Sequence, residues 1–65
     1  MKTRYERTAA ILNKKYDAVL LTADDVKRAV HASSYGASSF LIAGIGVFEI
    51  ANTFFELESE DHKDD

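Results

Sequence analysis

The 65 residues make one small domain at most, and the absence of cysteine excludes disulfide bonds and thiolate metal sites. A hydrophobic fraction of 46% is too high for a disordered chain, and the net charge of −3 divides into a basic first half and an acidic second half. No apolar segment follows the basic N-terminus, so we expect no signal peptide and a cytoplasmic location. The charge asymmetry is typical of a half that faces a polyanion, or of an acidic tail.

The first predicted element is an amphipathic helix over residues 2–16. Apolar side chains recur at the helical period and form one face: Tyr5, Ala9, Leu12 and Tyr16. Basic side chains lie together on roughly the opposite side: Arg4, Arg7, Lys14 and Lys15. Two interpretations of this basic face stay open, because it either is simply solvated or contacts phosphate groups.

A second helix is predicted to begin after Thr22, whose hydroxyl can accept from the free backbone N–H groups of the first turn. Asp25 follows at the spacing of a capping box. Lys27, Arg28 and His31 lie toward the C-terminal end, where the helix dipole favours positive charge. The sequence therefore predicts a well-capped helix with basic residues in its second half.

Residues 32–39 are small and polar, which predicts a loop or a short, weak helix. Ser34 fits a capping role in an ordinary turn. Alternatively, Ser34 and Tyr35 can donate hydrogen bonds to phosphate groups or to base edges of a nucleic acid.

A β-hairpin is predicted next, with strands over residues 40–43 and 47–51. Both runs are rich in Phe, Ile and Val, and they flank a loop of Gly44, Ile45 and Gly46. An apolar hairpin of this kind can pair edge to edge with a partner or cover a partner's surface.

A short closing helix is predicted to begin at Asn52 or Thr53 and to end near Leu57, because Thr53 and Glu56 have the capping-box spacing. Residues 58–65 contain no apolar side chain, so we expect a solvated acidic tail. The predicted domain is therefore residues 1–57, followed by a tail over residues 58–65.

A membrane-spanning helix is a third possibility. Residues 29–55 are long enough to span a bilayer and carry one formal charge, Glu49. Against this, the segment contains four serines, and a carboxylate near the middle of a span is costly. The densely apolar part covers only residues 40–50, which favours a core hairpin over a membrane span.

The sequence contains no pattern specific to catalysis. Asp24 and Asp25 are adjacent, so on a helix they point about 100° apart and do not form an acid–base pair. The glycines at 44 and 46 lack the third glycine of a phosphate-binding loop, because Glu49 stands there. The two histidines, His31 and His62, are far apart. We therefore expect no enzyme activity, no cofactor and no metal site.

The order of two helices, a hairpin and a short closing helix describes an α+β, winged-helix-like fold. Residues 20–30 open with Leu-Leu-Thr and then Val26, and they resemble the first helix of the phage and plasmid excisionase-like family, related to MerR-type DNA-binding domains. Residues 40–50 resemble the wing of that family, and residues 52–57 resemble its closing helix. The chain departs from the family where Ser33 to Ser39 is too short for a full recognition helix, and where the wing tip has no charge.

This resemblance implies a small DNA-binding accessory or transcriptional regulatory protein of phage or plasmid type, acting on double-stranded DNA as a homodimer. The residues expected to contact DNA are Arg4, Arg7, Lys14, Lys15, Lys27, Arg28, Ser34 and Tyr35. The alternative is a protein-interaction or inhibitor module that uses the acidic tail and the apolar hairpin. The hairpin residues expected to contact a protein partner are Phe40, Ile42, Ile45, Val47 and Phe48.

Overall fold

The computed structural model describes residues 2–17, 20–36 and 41–61. Their elements, in chain order, are α1 (Arg4–Lys15), α2 (Ala23–Ser34), β1 (Leu41–Ile42), β2 (Ile45–Gly46) and α3 (Val47–Asp61). Three helices and one antiparallel hairpin confirm the α+β class. The more specific winged-helix likeness stays a prediction.

Both of the first two helices begin at a reciprocal cap. Thr22 accepts from the backbone N–H of Asp25 at 3.2 Å, and the Asp25 carboxylate accepts from the N–H of Thr22 at 3.1 Å, as predicted. The same arrangement joins Thr3 and Glu6, with distances of 3.1 Å and 2.9 Å. Because Thr3 is the cap, α1 begins at Arg4 rather than at Lys2.

The hairpin is much shorter than predicted. Its two strands pair Leu41 with Gly46 and Ile42 with Ile45. Ala43 and Gly44 form the turn between them and both have positive φ, 52° and 83°. Positive φ at both central residues is typical of the two-residue hairpin turn whose twist matches the strands. The predicted three-residue loop, which included Ile45, is therefore wrong.

The predicted second strand over residues 47–51 is also wrong, because these residues form the first turns of α3. The buried side chains of α3 recur at helical spacing along one face: Val47, Ile50, Ala51, Phe54 and Leu57. Thr53 is not a cap. Its hydroxyl donates to the Glu49 carbonyl at 3.0 Å, one turn back within the same helix.

The helix continues past the predicted boundary at Leu57. Residues 58–61 are helical, whereas a solvated tail was expected from Glu58 onwards. Asp61 and Glu58 contact arginines of α1, and these long-range ion pairs hold the last turn in place. Residues 62–65 lie outside the described part of the chain.

The core lies between the three helices, and the hairpin contributes Ile42 and Ile45 to it. α1 runs antiparallel to α3, since Tyr5 near the start of α1 stacks on Phe54, and Tyr16 after its end contacts Glu49. The core side chains are Ala9, Leu12, Leu21, Val26, Ala29, Ile42, Ile45, Val47, Ile50 and Phe54. The chain before α2 is tied to α1 by Asn13, whose amide bonds both backbone groups of Leu21, at 2.7 Å and 2.9 Å.

The segment over residues 29–55 is divided among several elements. Its described residues contribute to α2, to both strands and to α3. Across residues 2–17, 20–36 and 41–61, the structure contains no helix with the length and apolar character that crossing a bilayer requires.

Candidate interaction surfaces

Three of the four basic side chains of α1, Arg4, Arg7 and Lys15, form ion pairs with acidic side chains of α3. Asp61 forms ion pairs with both Arg4 and Arg7. Arg4 Nε lies 2.9 Å from Asp61 Oδ2, and Arg7 Nη1 lies 3.1 Å from the same oxygen. Arg4 also reaches Glu58, with Nη1 3.4 Å from Oε2. The predicted phosphate-contacting face is thus largely a seam between two helices of the same chain.

The Asp61 carboxylate is the centre of this seam. Hydrogen bonds from Arg7 and then Arg4 hold the pKa of Asp61 below its usual value. Arg7 donates from Nη1 to Oδ2 at 3.1 Å and from Nη2 to Oδ1 at 3.2 Å, which is the bidentate geometry that guanidinium groups favour. A phosphate group could use these two arginines only by displacing a carboxylate that is already well placed.

A second polar cluster joins the other end of α1 to the start of α3. The Tyr16 hydroxyl donates to the Glu49 carboxylate, and Lys15 Nζ lies 3.3 Å from Glu49 Oε2. The Tyr16 hydrogen bond is the main reason that the pKa of Glu49 is lowered, and the bond to Glu49 raises the pKa of Lys15. Of the four predicted basic residues on α1, Lys14 alone forms no ion pair with a described residue.

The remaining predicted DNA-contacting residues lie on α2 and just after it. Arg28 pairs with Asp25, and its Nε lies 3.6 Å from the Asp24 carboxylate. Lys27 and Tyr35 are exposed. Ser34 donates to the Val30 carbonyl at 3.1 Å, so its hydroxyl hydrogen is in use within the helix. An open cleft of about 390 Å³ is lined here by Asp24, Lys27, Arg28, His31 and Ala32.

The predicted protein-contacting hairpin is mostly part of the core. Ile42, Ile45 and Val47 are buried, because the hairpin folds back onto the helices instead of standing free. The prediction that these three side chains contact a protein partner is therefore wrong, because they belong to the core. Phe48 is 49% exposed, and Phe40 lies outside the described residues.

A different exposed surface is present on α3. Phe48 and Phe55, 49% and 43% exposed, are seven residues apart and therefore share one side of the helix. Their neighbours on this side are exposed and polar. We call this surface the α3 outer face and define it by Phe48, Asn52, Phe55, Glu56, Ser59 and Glu60. Phe55 was missed because residues 47–51 were assigned to a strand, which hides the spacing of seven.

Comparison with protein-family models, with curated proteins and with solved structures finds no significant match for this chain. Within the described residues, no three histidine, aspartate or glutamate side chains converge in a way that could hold a metal ion.

Proposed function

We propose that this chain is a non-catalytic protein-interaction module whose docking surface is the α3 outer face. The observation that carries the proposal is the pair Phe48 and Phe55, each close to half exposed on one side of α3. Seven helical residues separate them by about 10.5 Å along the axis. Two aromatic anchors at this spacing are typical of helix faces that dock into a partner.

Each ring is about half buried, and Phe55 packs edge-on against the core ring of Phe54 with 5.6 Å between the ring centroids. Val47, Ile50 and Phe54 already fill the interior from α3, and all three are buried. Covering the exposed parts of Phe48 and Phe55 would remove about 180 Å² of apolar surface from water, worth about 4.5 kcal/mol before the cost of association. The outer sides of the two rings are therefore available to a partner, while their inner sides pack on the fold.

The proposal also follows from where the basic charges lie. Arg4, Arg7 and Lys15 are bound by carboxylates of α3. Binding to a polyanion depends on releasing counterions from phosphates, which requires cations free to contact them. The α1 surface is thus poorly suited to DNA in the folded chain.

The test is selection from a displayed library of random peptides of about 20 residues, with counterselection against a chain carrying Phe48→Ser and Phe55→Ser. We expect peptides that bind the native chain and lose at least tenfold in affinity toward the double variant. Ile11→Ser is the matched control, because Ile11 is 44% exposed on α1. Circular dichroism of both variants should show an unchanged helical spectrum.

Recovery of no peptide that distinguishes the native chain from the double variant would contradict the proposal. Peptides that respond equally to Ile11→Ser would also contradict it, because binding would then depend on general exposed hydrophobicity rather than on α3.

A second candidate function, DNA binding as expected from the excisionase-like resemblance, is favoured by one observation on α2. Lys27, Arg28, His31 and Tyr35 are all exposed at this helix and its C-terminal turn. Here Lys27 forms no ion pair with a described residue, although Arg28 does.

DNA binding is tested by fluorescence anisotropy of duplex DNA over a salt series, comparing the native chain with Lys27→Ala/Arg28→Ala. If α2 contacts phosphates, the affinity for DNA falls steeply as the salt concentration rises. The double variant then reduces the slope of log affinity against log salt concentration by about 2. The same substitutions at Arg4 and Arg7 are the comparison for an α1 surface. An absence of binding at low salt removes this candidate.

A further inference from the structure

We infer that the partner of the α3 outer face is a basic amphipathic helix of another protein. This inference rests on the proposed function and names the partner class for the same surface. The inference is based on the charge of α3, which contains no basic residue. Its five acidic residues are Glu49, Glu56, Glu58, Glu60 and Asp61.

The five carboxylates divide into two groups. Glu49, Glu58 and Asp61 are bound by the α1 residues Lys15, Arg4 and Arg7. Glu56 and Glu60 are exposed and form no ion pair with any described residue. The first group stabilises the fold, and the second leaves uncompensated negative charge beside the aromatic anchors.

The positions of Glu56 and Glu60 on the helix determine where the negative charge lies relative to the two phenylalanines. At 100° per residue, Glu56 and Glu60 lie on adjacent turns and on the same flank of the line through Phe48 and Phe55. Two like charges at this spacing repel each other slightly, and a cation placed between them relieves the repulsion. The surface therefore consists of an aromatic line with one acidic edge.

This charge pattern disfavours a second copy of the chain as the occupant. Two α3 helices packed through Phe48 and Phe55 would bring the acidic edges of both copies to the same interface, with no basic residue of α3 to offset them. The expected homodimer therefore does not use this face. The same negative charge repels nucleic acid and an anionic membrane surface.

A complementary partner has apolar residues seven apart to pack against the two phenylalanines, and lysine or arginine along one side to meet Glu56 and Glu60. An amphipathic helix provides both features at matching intervals. Exposed charge pairs at an interface chiefly set partner choice and orientation, while the aromatic contacts supply most of the affinity.

The inference is tested with a library of helical peptides that keep apolar residues seven apart and vary the flanking positions among lysine, glutamate and serine. Selection is made on the native chain at about 150 mM salt, where long-range attraction is screened. We expect lysine at the flanking positions of the recovered peptides. Amide shifts on titration should fall on residues 48–60.

The matched charge variants are Glu56→Gln/Glu60→Gln and, as the control, Asp17→Asn/Asp24→Asn, which removes two exposed negative charges elsewhere. We expect the first pair to weaken the recovered peptides roughly three- to tenfold, in line with two exposed ion pairs, and the control to weaken them less than twofold. Phe48→Ser/Phe55→Ser should abolish binding.

Three results would overturn the inference while leaving the proposed function intact. These are peptides that depend on α3 but carry serine or glutamate at the flanks, equal weakening by the two charge-variant pairs, and a concentration-dependent dimer in sedimentation that Phe48→Ser/Phe55→Ser dissociates. If no recovered peptide depends on Phe48 and Phe55, the proposed function and the inference fail together.

Discussion

Glu49 is a single side chain that connects the start of α3 to the end of α1. It lies in the first turn of α3, where the positive end of the helix dipole favours a carboxylate, and it accepts from Tyr16 and Lys15. These groups favour the ionised form, so the pKa of Glu49 lies below its ordinary value. Because folding lowers the pKa, the contribution of Glu49 to stability is present above the ordinary pKa and is lost as the pH falls through the folded pKa.

Tyr16→Phe removes the hydrogen bond that contributes most to this shift. We expect the pKa of Glu49 to rise toward its ordinary value in the variant, measured by a carboxyl-carbon NMR titration. Tyr5→Phe is the control, because the Tyr5 ring stacks on Phe54 at 4.8 Å and its hydroxyl bonds no described side chain near Glu49. Identical Glu49 titrations in the native chain and in Tyr16→Phe would show that Lys15 alone sustains the shift.

At the scale of the elements, local signals were predictable and non-local ones were not. The Thr22–Asp25 cap follows from two residues three positions apart, and the structure contains it. The start of α3 was missed because β-branched and aromatic residues dominate 47–51, although Val47, Ile50 and Phe54 already have helical spacing. Tertiary packing onto α1 and α2 decides between the two states.

The turn of the hairpin contains an avoidable strain. Ala43 has φ 52°, a left-handed conformation that costs an alanine about 1 kcal/mol, whereas asparagine adopts it more readily. We expect Ala43→Asn to raise the free energy of unfolding by about 0.5 to 1 kcal/mol, measured by urea denaturation.

Gly44→Ala is the comparison variant, for which we expect the free energy of unfolding to fall. No heavy atom lies within 4 Å of a Cβ added at Gly44, so the substitution tests the backbone alone at φ 83°. We expect a loss of about 1 kcal/mol. An unchanged urea midpoint in both variants would mean that the turn relaxes in solution to another conformation.

For the whole molecule, the distribution of charge along the chain was predictable from the sequence. Which charged residues pair with each other was not. The sequence shows a basic first half and an acidic second half, which suggested contacts with an outside polyanion. In the fold, antiparallel packing of α1 on α3 sets Arg4 and Arg7 against Asp61, more than fifty positions away in the chain. A pairing at that separation leaves no local pattern to detect.

The candidate docking surface, too, could be predicted from the sequence only in part. Phe48 was identified from sequence because it is large and apolar. Phe55 belongs with it only once residues 47–61 are known to be one helix. The two free carboxylates, Glu56 and Glu60, are distinguished from the three bound ones only by the position of α1. The prediction of an apolar protein-contacting surface therefore moves from the hairpin to the α3 outer face.

The pairing of Arg4 with Asp61 also determines how the molecule responds to mechanical force. Since α1 and α3 are antiparallel, residues near the two ends of the described chain lie side by side. A pulling force applied at these ends loads the Arg4–Asp61 contact first, then the Tyr5–Phe54 stack, and last the Tyr16–Glu49 bond. The contacts between α1 and α3 are therefore loaded one after another and not all together.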